Sequence, residues 1–174
     1  MVAMKTVVLG DPPPALASLI AERQRLGLDR HDEVWEGDYH MAPAPTWRHA
    51  HLGARLITLL MSRAVPLGLH ATLEFNLGEP HDHRIPDLGV HRSPVAGAWV
   101  PTAAVVVELR SPHDETFEKF GFYFDRGVEE VLVADLSVDR ATWFLRGEHG
   151  FVEAGASAAL GVSTAEVHAA LGWG

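Results

Sequence analysis

The sequence predicts an α+β fold in which a mixed central sheet is flanked by helices. Three observations carry that expectation. Apolar residues recur at helical spacing through residue 60 and then switch to an extended rhythm from residue 71. Two later runs, 103–109 and 128–134, are nearly continuous small and β-branched apolar residues, the pattern of strands covered on both faces. A helical segment separates them and another closes the chain.

The elements follow in order. Asp11-Pro12-Pro13-Pro14 is a helix start, because proline fits a first turn, and Ala15 to Leu26 carries Leu16, Leu19, Ile20 and Leu26 until Gly27 stops it. Residues 33–41 form a strand pair folded around Glu36-Gly37-Asp38. Thr46 caps a second helix with Leu52, Leu56, Leu59 and Leu60 on one face, ending before Pro66-Leu67-Gly68. Residues 71–77 alternate as a strand, 79–83 read as a polar connection, and 85–90 and 103–109 are two further strands. A third helix spans His113 to Arg126, ended by Gly127. Residues 128–134 and 140–145 pair across the turn 136–139, and Ser163-Thr164-Ala165-Glu166 is a capping box.

A chain of 174 residues suits one domain, 1–174, with its core at about 28–150, an N-terminal helical flank at 12–27 and a C-terminal one at 163–172. The absence of cysteine excludes disulfides, zinc–thiolate sites and thiol nucleophiles. No stretch reaches the length of a membrane span, and Met1-Val2-Ala3-Met4-Lys5 lacks a leader pattern, so the expected location is cytoplasmic. A formal charge of −9 argues against broad, sequence-independent nucleic-acid binding, though not against a local basic strip.

The chemistry gathers around two carboxylates. Asp87 follows Pro86 in one apolar strand, and Glu108 ends the next, "AAVVVELRSP". Two carboxylates aimed at one point repel each other and resist desolvation, unless a divalent cation such as Mg²⁺ or Mn²⁺ binds between them. The alternative is a structural ion pair of Glu108 with Arg110 or Arg84. Arg110, two residues further along the strand, shares the face of Glu108, and Lys119 lies on the helix that follows. Either cation could steady a phosphate, although a solvated Lys119 is the simpler reading.

These residues occur within segments that resemble the Uma2 family, a bacterial group of restriction-endonuclease-like proteins with a variant PD-(D/E)xK nuclease motif. The segments are "EVWEGDYHMAPAP", "RHAHLGARL", "RIPDLGV", "VVVELRSP" and "EKFGFYFDRGVEEVLVADL", in order from about Glu33 to Asp135. The resemblance implies a restriction-endonuclease-like fold and a Mg²⁺- or Mn²⁺-dependent endonuclease acting on DNA. It implies Asp87 and Glu108 as metal ligands, with the Leu109 backbone carbonyl as a third and Glu33 completing the site, Glu36 being a poorer substitute. It places His49 at the start of the second helix, facing the phosphate or a water. It also implies a homodimer presenting two sites to a duplex. Arg110 departs from the pattern by standing where the motif has lysine; Lys119 matches the lysine that family members supply from the next helix.

Arg48, Arg55, Arg63 and Arg110 are the candidates for a basic strip on DNA, with solvated arginines as the alternative. Trp47 and the other aromatics could stack on bases, but Phe120, Tyr123 and Phe124 at helical spacing read more simply as core. Two rival functions stand beside the nuclease. One is a catalytically silent binding or assembly module, favoured by the net charge and by Arg110. The other is a cupin-like metal site built on His81-Asp82-His83.

Overall fold

The computed structural model describes residues 6–112 and 114–173. The readings at Met1 to Lys5 and at His113 lie outside the described residues. The chain runs β1 (Thr6–Val8), α1 (Pro14–Leu26), β2 (Glu33–Trp35), β3 (Asp38–Met41), α2 (Trp47–Ala64), β4 (His70–Leu73), β5 (Asn76–Glu79), β6 (Asp82–Arg84), β7 (Leu88–His91) and β8 (Trp99–Val100). It continues through β9 (Val105–Arg110), a 3₁₀ turn (Thr116–Lys119), α3 (Phe120–Asp125), β10 (Glu130–Asp135), β11 (Arg140–Arg146), β12 (Phe151–Ala154) and α4 (Thr164–Leu171).

The expected mixed sheet is present, ordered β12-β11-β10-β9-β7-β4, with β9 and β10 parallel and every other pair antiparallel. A second six-stranded sheet, β1-β3-β2-β6-β5-β8, accompanies it. One face of the mixed sheet packs Val105, Val107 and Leu109 against Leu52, Leu56 and Leu60 of α2 and Val167 and Leu171 of α4. The other face packs Val106, Val131 and Val133 under Tyr123 of α3 and Leu77 of β5, so the second sheet meets the first on that side.

Several local expectations hold for the stated reasons. Thr46 accepts the His49 N–H at the start of α2, and Ser163 and Glu166 form the reciprocal capping box of α4. The β2–β3 turn places Glu36 at φ 51° and Gly37 at φ 98°, a pair of left-handed residues that matches the twist of a two-residue hairpin.

Others are corrected. The strand expected at 71–77 is two strands separated at Glu74-Phe75, which belong to different sheets. The polar connection 79–83 is a hairpin turning at Pro80-His81, with β6 pairing to β5. The third helix is a 3₁₀ turn followed by six α-helical residues, a short element for an aromatic-rich segment with a glycine inside it. Asp87 precedes β7 and does not lie within it.

Candidate active site

The site forms where β7 begins and β9 ends. Val107 pairs with Leu88 across that antiparallel ladder. Continuing that register sets Glu108 opposite Asp87 and, two positions beyond Val107, Leu109 opposite Pro86, which has no N–H to offer. The ladder stops there. Asp87 takes over, accepting the Leu109 N–H on Oδ2 at 2.6 Å. Its other oxygen, Oδ1, lies 2.8 Å from Nε2 of His49, in the first turn of α2. The Leu109 carbonyl shares the strand edge facing Asp87. Burial pulls the His49 pKa down, but the hydrogen bond and charge of Asp87, helped by Asp114 and Glu108, outweigh it and hold the imidazole above its ordinary value.

Glu108 faces the opposite side of β9 from Leu109, and its residue is 3% exposed. Lys119 reaches it from the 3₁₀ turn, with Nζ 3.2 Å from Glu108 Oε1 and 2.9 Å from Glu33 Oε1. Tyr123, four residues further and so on the same side of the helical segment, donates its hydroxyl to Glu108 Oε1. Glu33 is held from three directions, since Oε1 also accepts the Ile85 N–H at 2.7 Å and Oε2 the Trp35 indole N–H at 2.7 Å.

One ammonium cannot neutralise two buried carboxylates, and the two acids differ accordingly. Burial pushes Glu33 up, but the Lys119 charge and the surrounding donors outweigh it and keep its pKa below the ordinary value. Burial pushes Glu108 up to about 8; Lys119 opposes this, while the charges of Asp87 and Glu33 reinforce it. Glu33 is therefore the ionised partner of Lys119, and Glu108 is the acid that holds a proton near neutrality. Burial would lower Lys119, yet Glu108 and Glu33 together hold its ammonium well above its ordinary range.

Glu33, Asp87, Glu108, Lys119 and His49 thus fall in one region. Arg110 shares the strand face but turns to Asp135 on β10, with its guanidinium 5.4 Å from the Phe117 ring centre. Glu36 sits in the hairpin turn, its N–H bonded to Asp82. Arg48 and Arg63 of α2 have partners other than the site carboxylates. Arg48 bonds Asp139 at 2.5 Å and the Leu136 carbonyl at 2.6 Å, Arg63 pairs with Glu166, and a Cβ on Gly172 after α4 would lie 3.0 Å from the Arg55 guanidinium. They tie α2 to the β10–β11 turn and to α4. His81 lies in a turn, while His83 is buried edge-on against Trp99, with Nε2 3.3 Å from the Asp32 carbonyl. That pair has no common focus.

Tyr123 lies in the core, as its helical spacing predicts, and its hydroxyl also reaches the site. Its four-residue spacing from Lys119, with both residues aimed at one carboxylate, was the available signal. Among the described residues no three His, Asp or Glu side chains are grouped as a self-sufficient metal site. The hard oxygens of Asp87, Glu108 and the Leu109 carbonyl fit Mg²⁺ or Mn²⁺ in kind, since Mg²⁺ commonly takes one or two carboxylates and completes its shell with water.

Residues 22–170 match the Uma2 family, described as "Putative restriction endonuclease". The chain belongs to the Uma2 family. A solved structure from Anabaena variabilis ATCC 29413, described as a putative nuclease belonging to DUF820, superposes with a TM-score of 0.64 at 15% identity, covering 80% of this chain and 90% of that one. That likeness establishes the restriction-endonuclease-like fold for this Uma2 member. No curated protein matches the chain. Among the described residues no helix is long and apolar enough to cross a membrane.

Proposed function

We propose that this Uma2 protein is a divalent-metal-dependent endonuclease that hydrolyses DNA phosphodiester bonds. The observation that carries this reading is Lys119, 7% exposed, bridging Glu33 and Glu108 beside the Asp87–His49 pair. A buried ammonium among repelling carboxylates costs stability that a structural role would not require. Asp87, Glu108 and the Leu109 carbonyl would hold Mg²⁺ or Mn²⁺, which would acidify water and offset charge on the phosphate.

The chain's own residues supply the remainder. Lys119 commits two of its three donors to Glu33 and Glu108, and the third can meet a phosphate oxygen. To hold the cation, Glu108 would have to release its proton to solvent. His49, held by Asp87, which raises its pKa, is placed to return a proton to the leaving oxygen as water bonds to phosphorus and the P–O bond breaks. Arg110 is not needed as the motif's lysine, because Lys119 occupies that role from the next element. A homodimer in the cytoplasm, offering two such sites to a duplex, completes the reading; light scattering on the purified protein checks the dimer.

The catalytically silent module remains the second reading, favoured by the full set of donors already on Glu33. Nicking of supercoiled and single-stranded DNA with Mg²⁺ or Mn²⁺ decides between them. Activity lost in Asp87→Ala and Glu108→Ala supports the nuclease; equal trace activity in all three proteins sinks it.

A further inference from the structure

Phe117 is half exposed, two residues from Lys119, and walls a cavity of about 260 Å³. Val133, Asp135, Arg140, Thr142 and Glu153 are among its other lining residues, with Val138 and Phe144 adding apolar wall. This floor is the same sheet face that carries Glu108, since Val133 pairs with Glu108 and Thr142 with Val133. At a strand spacing of about 4.8 Å the cavity floor extends roughly 5–10 Å from the Glu108 backbone. Tyr123 and Phe120 cover the other part of this face, against Val106, Val131 and Phe144, and leave the Phe117 end open.

The lining identifies the guest. The volume is below the roughly 300–1,000 Å³ of sites for drug-sized ligands, which suits a single ring system. Arg140, Thr142 and Glu153 make no side-chain hydrogen bond or ion pair among the described residues, so donors and acceptors for a polar edge are unspent. Asp135 is already paired with Arg110, and Glu153 balances Arg140, so the cavity offers no net positive charge for a phosphate and suits a neutral heterocycle. An exposed aromatic ring beside such a polar edge is the pairing with which proteins hold unstacked bases.

We propose that this cavity takes one unpaired nucleobase next to the scissile phosphate, stacked on Phe117, so that the substrate is single-stranded or locally unpaired DNA. The proposal rests on the nuclease reading. A base inside a duplex presents no free face to Phe117 and would first have to leave its stack.

The test measures anisotropy of a labelled single-stranded oligonucleotide and of its duplex, with and without Ca²⁺, for the wild type, Phe117→Ala, Phe117→Tyr and Trp47→Ala. Circular dichroism confirms folding of each. Wild type is expected to prefer the single strand. Phe117→Ala weakens it about 5- to 140-fold, the effect of one lost base–aromatic stack, and Phe117→Tyr restores it. Equal binding of strand and duplex, no binding at all, no effect of Phe117→Ala, or a loss confined to Trp47→Ala overturns the proposal. Cleavage in Mg²⁺ or Mn²⁺ is scored separately. Phe117-dependent binding without cleavage defeats the nuclease reading alone, and cleavage indifferent to Phe117 defeats this one alone.

Discussion

Two glutamates occupy adjacent parallel strands of the same sheet with the same 3% exposure, and the protein treats them in opposite ways. Glu130, at the start of β10, accepts the Ser157 hydroxyl at 2.5 Å and the Ala159 N–H at 2.7 Å. Neutral donors from one loop satisfy it, and the carboxylate fastens that loop to the sheet. Glu108, near the end of β9, is left beside Glu33 and Asp87 with one shared ammonium, and its pKa rises to about 8. Burial of an acid is therefore not a mark of chemistry in this fold. Unrelieved repulsion between acids is.

The sharpest way to break the comparison is to remove each carboxylate in turn. Glu108→Gln is expected to lower DNA nicking by about a thousandfold or more, the several kcal/mol that a bound metal contributes. Glu130→Ala should leave activity per folded molecule unchanged. A plasmid-nicking assay normalised to folded protein compares them, and equal losses would erase the distinction.

Stability gives the next contrast. Lys119→Met leaves two carboxylates buried without their cation and should cost about 3–5 kcal/mol, as removal of one partner of a buried pair does. For a chain of this size that is a melting temperature lower by about 6–20 °C. Glu130→Ala strands the Ser157 and Ala159 donors and should cost about 1–3 kcal/mol. Urea titration of both variants ranks them, and a larger loss at Glu130 would reverse the argument about which acid carries the charge conflict.

Sequence made half of this contrast legible. Asp87 and Glu108 stood out because each interrupts an apolar run, and a carboxylate there demands a partner. The mixed sheet followed from the same runs. The second sheet did not, because its strands are only two to four residues long and one of them contains His83 and Arg84 between turn formers. The arginines were equally opaque. Arg48, Arg63 and Arg110 are matched by Asp139, Glu166 and Asp135, which lie 91, 103 and 25 positions away. No local spacing reveals such a match. Lys119 was recognised by resemblance, but its burial became visible only once β2 brought Glu33 across to it.

The last contrast is one of slope with pH, and it centres on Glu108. Its folded pKa of about 8 lies above its ordinary 4.5, so between those values the folded protein keeps a proton that the unfolded chain has released. Stability then falls as pH rises, by at most about 1.4 kcal/mol per pH unit from this group, and the fall ends near pH 8. His49, raised above 6.5, adds a loss of the same sign, while burial lowers His83 and His91 below 6.5 and gives both the opposite sign, a background common to the wild type and Glu108→Gln. Glu33, lowered below 4.5, acts in the opposite sense and only in acid, so it does not disturb the window above pH 5. Urea midpoints from pH 5 to 8 should therefore fall more steeply with pH in the wild type than in Glu108→Gln. Parallel curves for the wild type and Glu108→Gln would mean that Glu108 is ionised throughout. Lys119 would then satisfy both acids, and the difference from Glu130 would be one of partners alone.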